Sequence, residues 1–392
     1  MIYLDHHAAS PLEEGVREAC GRALREAWAN PSSTHRLGQS ARRLLEEARA
    51  QVAEACGVAP LDLIWTSGGT EACNWGVEGL CAGPPARLVT STIEHPAVEE
   101  SVQALARRGW RIERLKVEAG RPPGASAIEA LGLGPADRLI CQWVNHEVGT
   151  ILPVEDYAAA AKRSGAQVFV DASQALGKLD FSGLVSQVDA FALAAPKIGG
   201  PAGAGALWLR RGVELPPRFV GGGQERGRRA GSPDVLACVG FGAAARRVGE
   251  RLAQRERLGA MQRDFEAALE ARGGLINGRE AARVPTVSNV SFPGQRAALL
   301  VHALDIEGLC VSSGPACSSA LAQPSPTVVA MYPGHEERAQ AALRFSWGAS
   351  TEWAELEAAL ACLDRVLARF RRPLASPPAQ PSFSREARSD HD

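Results

Sequence analysis

The sequence predicts an α/β protein: a large, mostly parallel, doubly wound sheet followed by a smaller α+β segment. Three observations predict it. Short apolar runs alternate with helical stretches along the first two thirds of the 392-residue chain. Those runs are apolar throughout rather than every second residue, as strands covered by helices on both faces must be. The pattern then changes after about residue 272, where strand and helix signals become those of a mixed segment.

Taken in order, residues 12–29 and 39–56 read as amphipathic helices. In the second, Leu44, Leu45, Ala48, Val52 and Ala55 fall at helical spacing and Gly57 ends the run. The strand candidates are "LIWTSGG" (63–69), "RLVTST" (87–92), "RLICQWV" (138–144), "AQVFVDAS" (166–173), "DAFALAA" (189–195) and "GALWLR" (205–210). A long helix is expected from about Val235 to Arg272. "TVSNVSF" (286–292) alternates like a half-buried strand, "AALLVHALDIEG" reads as a helix, and "AALRFSWG" as a strand. The implied division is a large domain over 12–250 and a small one over 251–371 joined by 1–11. The tail 372–392, rich in Pro, Ser and charge, is expected to be disordered.

Composition excludes several classes. The formal net charge is −1, which gives no reason to expect a nucleic-acid or membrane partner. No apolar run reaches the ~18 residues of a spanning helix. The start, "MIYLDHHAASPL", lacks the basic and then apolar stretch of a signal peptide, so a cytoplasmic protein is expected. The 9 cysteines form no CxxC pair and read as small buried residues rather than a disulfide framework, with Cys317 set apart. No metal site is expected. Among 43 basic residues, lysine occurs only at Lys116, Lys162, Lys178 and Lys197, which limits any chemistry that needs a primary amine.

In an open α/β sheet, ligands bind at the carboxyl ends of the strands. Five stretches place polar residues there. "TSGGTEACN" (66–74) ends a strand, supplies Gly68 and Gly69, and opens a helix near Thr70, which is an anion site or a plain N-cap. "STIEHPAV" puts His95 after a strand and before Pro96. "WVNHEVGTILP" puts Asn145, His146 and Glu147 together, as a turn or a site. "VFVDASQALGK" ends an apolar strand on Asp171, with Gln174 three residues on. A carboxylate there needs a cation or donors, unless it only caps a helix. "FALAAPKIGGPAGAGAL" places Lys197 just past an apolar run. It is a candidate Schiff-base amine, which desolvation would activate, or a snorkelling lysine. An imine-forming lysine, a carboxylate for a pyridinium nitrogen and a Gly-Thr phosphate loop together fit pyridoxal phosphate. "SSGPACSSA" (312–320) holds Cys317 among small polar residues, where a thiol is exposed and reactive, or incidental.

Over roughly residues 1–370 the chain resembles the cysteine desulfurases of the class V aminotransferase superfamily, fold-type I pyridoxal-phosphate enzymes, and most the group that supplies sulfur for iron–sulfur clusters. The stretches that carry the resemblance, in order, are "YLDHHAASP", "NPSSTHRLGQSAR", "TSGGTEACN", "EHPAV", "VNHEVGTI", "VDASQALGK", "PKIGGPAGAGAL", "GGGQERGRRAGSPDV", "SSGPACSSA" and "LRFSWG". The resemblance implies that Lys197 holds the cofactor covalently, Asp171 pairs with its pyridine nitrogen, Gln174 contacts the ring hydroxyl and His95 stacks on the ring and moves protons. It implies that Gly69 and Thr70 bind the phosphate, and that Asn145 and Arg344 hold the substrate carboxylate. Cys317, on a long mobile loop, would take sulfur from L-cysteine as a persulfide, leave alanine, and pass the sulfur to an acceptor or scaffold protein. A homodimer is implied, with Ser232 reaching the neighbour's phosphate where threonine is usual.

The chain departs from the family pattern in three places. Ala194-Ala195-Pro196-Lys197 stands where Ser-x-His-Lys is usual, so two phosphate-contacting side chains are missing and proline lacks an N–H. Pro315 replaces a serine before Ala316-Cys317, and Gln224 replaces a histidine. Two alternatives therefore accompany the desulfurase reading. One is a selenocysteine lyase, β-lyase or transaminase of the same superfamily. The other is a non-catalytic paralogue with weakened cofactor binding that acts through partners.

Overall fold

Seven strands hydrogen-bond in one sheet, in the spatial order Leu63–Thr66, Gly205–Leu209, Ala190–Ala194, Gln167–Asp171, Arg138–Gln142, Arg87–Ser91, Arg111–Leu115. The computed structural model that shows this describes residues 1–314 and 323–370. Gly205–Leu209 runs antiparallel to both neighbours, and every other pairing is parallel. The expected α/β class with a mostly parallel sheet is therefore found, and all six expected strands are in it.

The seventh, Arg111–Leu115, carries no such signal. "RIERL" lies at the sheet edge, where only Leu115 is buried, so nothing forces it to be apolar throughout. The central strands, by contrast, are buried at every position from Leu139 to Gln142 and from Val168 to Asp171.

Helices cover both faces. Arg36–Cys56 buries Ala41, Leu44, Leu45, Ala48 and Val52, and ends on Gly57 at φ 67°, a left-handed position that glycine takes at no cost. On the other face, Gly69–Leu80 lies so close to the sheet that a Cβ at Gly76 would come 2.1 Å from the Phe169 ring.

The long helix expected over 235–272 is three: Val235–Ala245, Val248–Ala253 and Arg255–Ala271. The first is buried along almost its whole length beside the large sheet's core. The third buries Leu258, Phe265 and Leu269 in a different core. The chain changes packing partner between them, and the breaks fall at the change. Helix propensity alone has no means of registering that.

The second core belongs to an antiparallel sheet of Ala342–Ser346, Val287–Ser291 and Leu275–Ile276. Helices Ala297–Ile306 and Trp353–Phe370 pack on it. Ile2–Tyr3 pairs in parallel with Leu309–Cys310, and Leu4 is buried in the same core. The next residues, Asp5 to Ala8, are thereby carried back to the large sheet. Pro315, Cys317 and the tail 372–392 lie outside the described residues. The described cysteines are free thiols, most of them buried. No helix among the described residues is long and apolar enough to cross a membrane.

Candidate active site

Four neighbouring parallel strands set the site. Ala190–Ala194, Gln167–Asp171, Arg138–Gln142 and Arg87–Ser91 stand side by side, so their carboxyl ends form one edge. Along that edge the chain delivers Lys197, Asp171, His146 and His95. All four line one cavity of about 340 Å³.

Asp171 is the last residue of its strand, opposite Gln142 and Ala192, and is 7% exposed. Its Oδ1 accepts from the Ser173 amide at 2.9 Å. Lys197 sits in the short helical turn Ala195–Ile198, which Gly199 closes at φ 73°. A side chain there would also meet the Pro11 carbonyl at 2.8 Å. Lys197 Nζ donates to the carbonyls of Ala8 at 2.8 Å and His7 at 3.0 Å. The N-terminal segment thus holds the amine at the sheet edge. Gln174 Nε2 donates to the same His7 carbonyl at 2.9 Å, and Lys178 Nζ donates to Gln174 Oε1 at 2.7 Å. Burial, then the charges of Lys197, Arg251 and Arg344, pull the Lys178 ammonium down to about 7.

His95 caps the helix Pro96–Arg107, its Nδ1 accepting from the Ala97 amide at 3.0 Å. That bond fixes the neutral tautomer with the proton on Nε2. Burial lowers its pKa, as do Lys197 and Arg344, against the pull of Asp171. Its ring meets that of His146 edge-on, with centroids 4.9 Å apart.

Arg344 is buried in the antiparallel sheet's strand Ala342–Ser346. Nη2 pairs with Asp5 Oδ1 at 2.7 Å, and Nη1 donates to the His146 carbonyl at 3.1 Å. Its Nε has no hydrogen-bond partner.

At the other end of the cavity, helix Gly69–Leu80 starts without a side-chain cap. Its first amides lie next to Ser67 and Thr70, which also line the cavity. A Cβ at Gly69 would come 2.9 Å from Ala194 Cβ and 3.2 Å from Ser173 Oγ, and one at Gly205 would come 2.4 Å from the Gly68 carbonyl carbon. Glycines here permit backbone to approach backbone at a helix N-terminus, the usual cradle for a phosphate. Asp171, Lys197 and this cradle fit pyridoxal phosphate: a carboxylate for its ring nitrogen, an amine for its aldehyde, and donors for its phosphate.

The cradle is poorer than usual. Ala194 and Pro196 line the cavity and offer no side-chain donor. Pro196 fits the first turn of its short helix, where an N–H would not be used within the helix. The arginines of 226–229 do not fill the gap. Arg229 pairs with Glu71 at 2.9 and 3.0 Å, and Arg226 and Arg228 donate to the Leu61 carbonyl. Ser232 is exposed and lines an adjoining cavity of about 270 Å³ that shares Ser67.

Of the residues named from sequence, Gly69, Thr70, His95, Asp171, Gln174, Lys197 and Arg344 meet around the one cavity. Asn145 does not line it. Its Oδ1 accepts from the amides of Glu147 and Val148, and its Nδ2 donates to the Ile93 carbonyl, so its amide holds the turn. The sequence gives no sign of a role for His7, and marks Lys178 only as one of four lysines. The spacing of Gln174 and Lys178, four residues apart in "QALGK", was the only available hint.

A family model for the class-V aminotransferases matches residues 2–358. The IscS-like cysteine desulfurase of Mycobacterium tuberculosis is 37% identical over 385 residues, covering 95% of this chain and 98% of its own. A cysteine desulfurase of Cereibacter sphaeroides is 37% identical over 380 residues, covering 94% and 96%. Among solved structures, a NifS-like protein superposes with a TM-score of 0.86 at 29% identity, covering 94% of this chain and 99% of that one. With both the sequence relatives and the backbone in agreement over nearly the whole length, the chain belongs to the class-V aminotransferase family, in its cysteine desulfurase group.

Proposed function

We propose that the protein is a pyridoxal-phosphate-dependent cysteine desulfurase that converts L-cysteine to L-alanine and carries the sulfur as a persulfide on Cys317. The observation that carries the proposal is the row of Lys197, Asp171, His146 and His95 on one sheet edge and around one cavity.

Each residue has a part. Lys197 would be the amine that binds the cofactor's aldehyde. Asp171 would keep its pyridine nitrogen protonated, and Gln174 would contact its ring hydroxyl. The amides of Gly69 and Thr70 would hold the phosphate. Bound there, the cofactor acts as an electron sink at the substrate carbon. Arg344 offers a charged fork for the substrate carboxylate, already oriented by Asp5 and the His146 carbonyl. His95, neutral and protonated on Nε2, moves protons beside the ring. The Cys317 thiolate attacks the substrate sulfur. The C–S pair stays with the substrate carbon, which takes up a proton and leaves as alanine.

Work as a homodimer, delivery to an acceptor or scaffold protein and a cytoplasmic setting belong to the same reading. The bare edge formed by Ala194 and Pro196 favours weaker cofactor binding than a Ser/His pair would give. Two lost hydrogen bonds to a charged group amount to about 3–6 kcal/mol.

The test is the full-length protein with added cofactor and L-cysteine. The expected result is cofactor absorbance, then alanine and reducible sulfur in equal amounts. Cys317→Ala should keep the absorbance and lose the sulfur transfer. A protein that stays colourless in excess cofactor overturns the reading, and unchanged turnover in the cysteine variant points to another reaction of the superfamily.

A further inference from the structure

A second cavity, of about 250 Å³, shares His7 and Lys197 as walls with the first. It is far larger than the ~10–15 Å³ that admits one water. Residues of both cores line it: Leu176 and Ile198 belong to the core of the large sheet, Leu258 and Trp347 to that of the antiparallel sheet. Neither Asp171 nor the helix start at Gly69 and Thr70 reaches it, so it is a separate space from the one that fits the cofactor.

Its wall is positively charged. Lys178 and Arg251 line this cavity and not the first. Glu13 is the only acid among the described lining residues, and two arginines already divide it. Its Oε1 accepts from Arg251 Nη2 at 3.0 Å, and its Oε2 pairs with Arg247. Nothing on the wall therefore answers Lys178. The Lys178 ammonium donates to Gln174 Oε1, a neutral acceptor, and the charges that act on it, Lys197, Arg251 and Arg344, are all positive. The neighbouring imidazoles of His6 and His7 are held neutral at pH 7, chiefly by burial, and bring no negative charge.

Both cations are also fixed in place. The Gln174 bond holds the ammonium, and the guanidinium donates through Nη1 to the Ala244 carbonyl at 3.0 Å as well as to Glu13. A buried cation that lacks a counter-charge is costly, and pre-positioned donors lower the cost of binding an ion that supplies one.

We infer that this cavity binds a small oxyanion, held by the Lys178 ammonium and the Arg251 guanidinium between the two cores. Ser10 and Ser350 line the same space and bring hydroxyl donors. Several separated donors suit an ion with several oxygens, each of which can accept a charge-assisted bond.

The test titrates inorganic sulfate into the full-length protein at matched ionic strength, with and without excess pyridoxal phosphate. Calorimetry reads the dissociation constant, and the melting temperature reads the linked stability. Wild type is expected to bind sulfate saturably, with a rise in melting temperature, whether or not pyridoxal phosphate is present. Lys178→Met should weaken the constant about tenfold or more, the effect of one lost hydrogen bond to a charged group. Lys178 titrates at about 7, so wild-type affinity should fall between about pH 6 and pH 9, whereas Lys178→Arg keeps its charge and should bind equally across that range. Equal binding by wild type and Lys178→Met overturns the inference, as does a wild type that binds no sulfate. Binding that excess pyridoxal phosphate abolishes also overturns it, because that sulfate occupies the cofactor's phosphate cradle. If Lys178→Met does not fold, a wild-type profile as flat with pH as that of Lys178→Arg overturns it. Lysine-dependent sulfate binding in a protein that takes up no pyridoxal phosphate supports the oxyanion site and overturns the desulfurase reading alone.

Discussion

Lys178 and Gln174 are joined by a 2.7 Å hydrogen bond, with the ammonium donating to Oε1. That bond sets which way round the glutamine amide sits, and so leaves its NH₂ toward the His7 carbonyl that Lys197 also holds. The lysine is brought down to about 7 from 10.5, first by burial. An unfolded chain would keep it protonated to about 10.4. Between these values the folded state binds fewer protons than the unfolded one, so stability rises with pH in that window. The apoprotein's melting temperature should therefore gain more between pH 7 and pH 9 in wild type than in Lys178→Met. Parallel profiles for the two proteins would count against it.

Ala194 lines the cavity without a side-chain donor where the proposed phosphate site would lie. Ala194 Cβ lies next to Gly69, so a hydroxyl added there reaches the helix start. Ala194→Ser should tighten pyridoxal phosphate binding about tenfold, the effect of ~1.5 kcal/mol from a hydrogen bond to a charged group. Fluorescence titration of the apoprotein reads it, and an unchanged constant would mean the phosphate lies elsewhere.

Arg344 should separate substrate binding from stability. Arg344→Lys keeps a positive charge for Asp5 but loses the fork. KM for L-cysteine is expected to rise about tenfold with little change in melting temperature. Arg344→Ala instead leaves Asp5 without its partner. It should cost stability near the lower end of ~3–5 kcal/mol, since the Asp5 side chain is 17% exposed and keeps some water. Denaturant unfolding distinguishes the two variants.

Gly76 sits inside a helix, where alanine alone would add about 1 kcal/mol. The site forbids it, because a Cβ would lie 2.1 Å from Phe169, a fully buried ring. Overpacking of this kind costs about 1–3 kcal/mol. Gly76→Ala is expected to lower the melting temperature by several degrees, and a rise would show that the helix can shift off the sheet.

Much of this was legible in the sequence. Apolar runs reveal central strands because both faces are buried, and the ends of those runs reveal Asp171, His95 and Lys197. The edge strand Arg111–Leu115 stayed hidden because half of it faces water. The helix over 235–272 read as continuous because its breaks answer a change of packing partner, not a local breaker. Asn145 and His146 show the same limit at the site. Adjacent polar residues after a strand look alike in sequence, and only the turn's own hydrogen bonds decide which one is consumed and which one is left facing the cavity.

The sequence by itself determined the family, the sheet's class and the residue types at the strand ends, because those follow from local pattern and chemical need. Only the tertiary structure decided the strand order that lines up Lys197, Asp171, His146 and His95. It alone brought Asp5 to Arg344 and the His7 carbonyl to Lys197. Those are contacts between residues 339 and 190 positions apart, fixed by tertiary packing rather than by any stretch of chain.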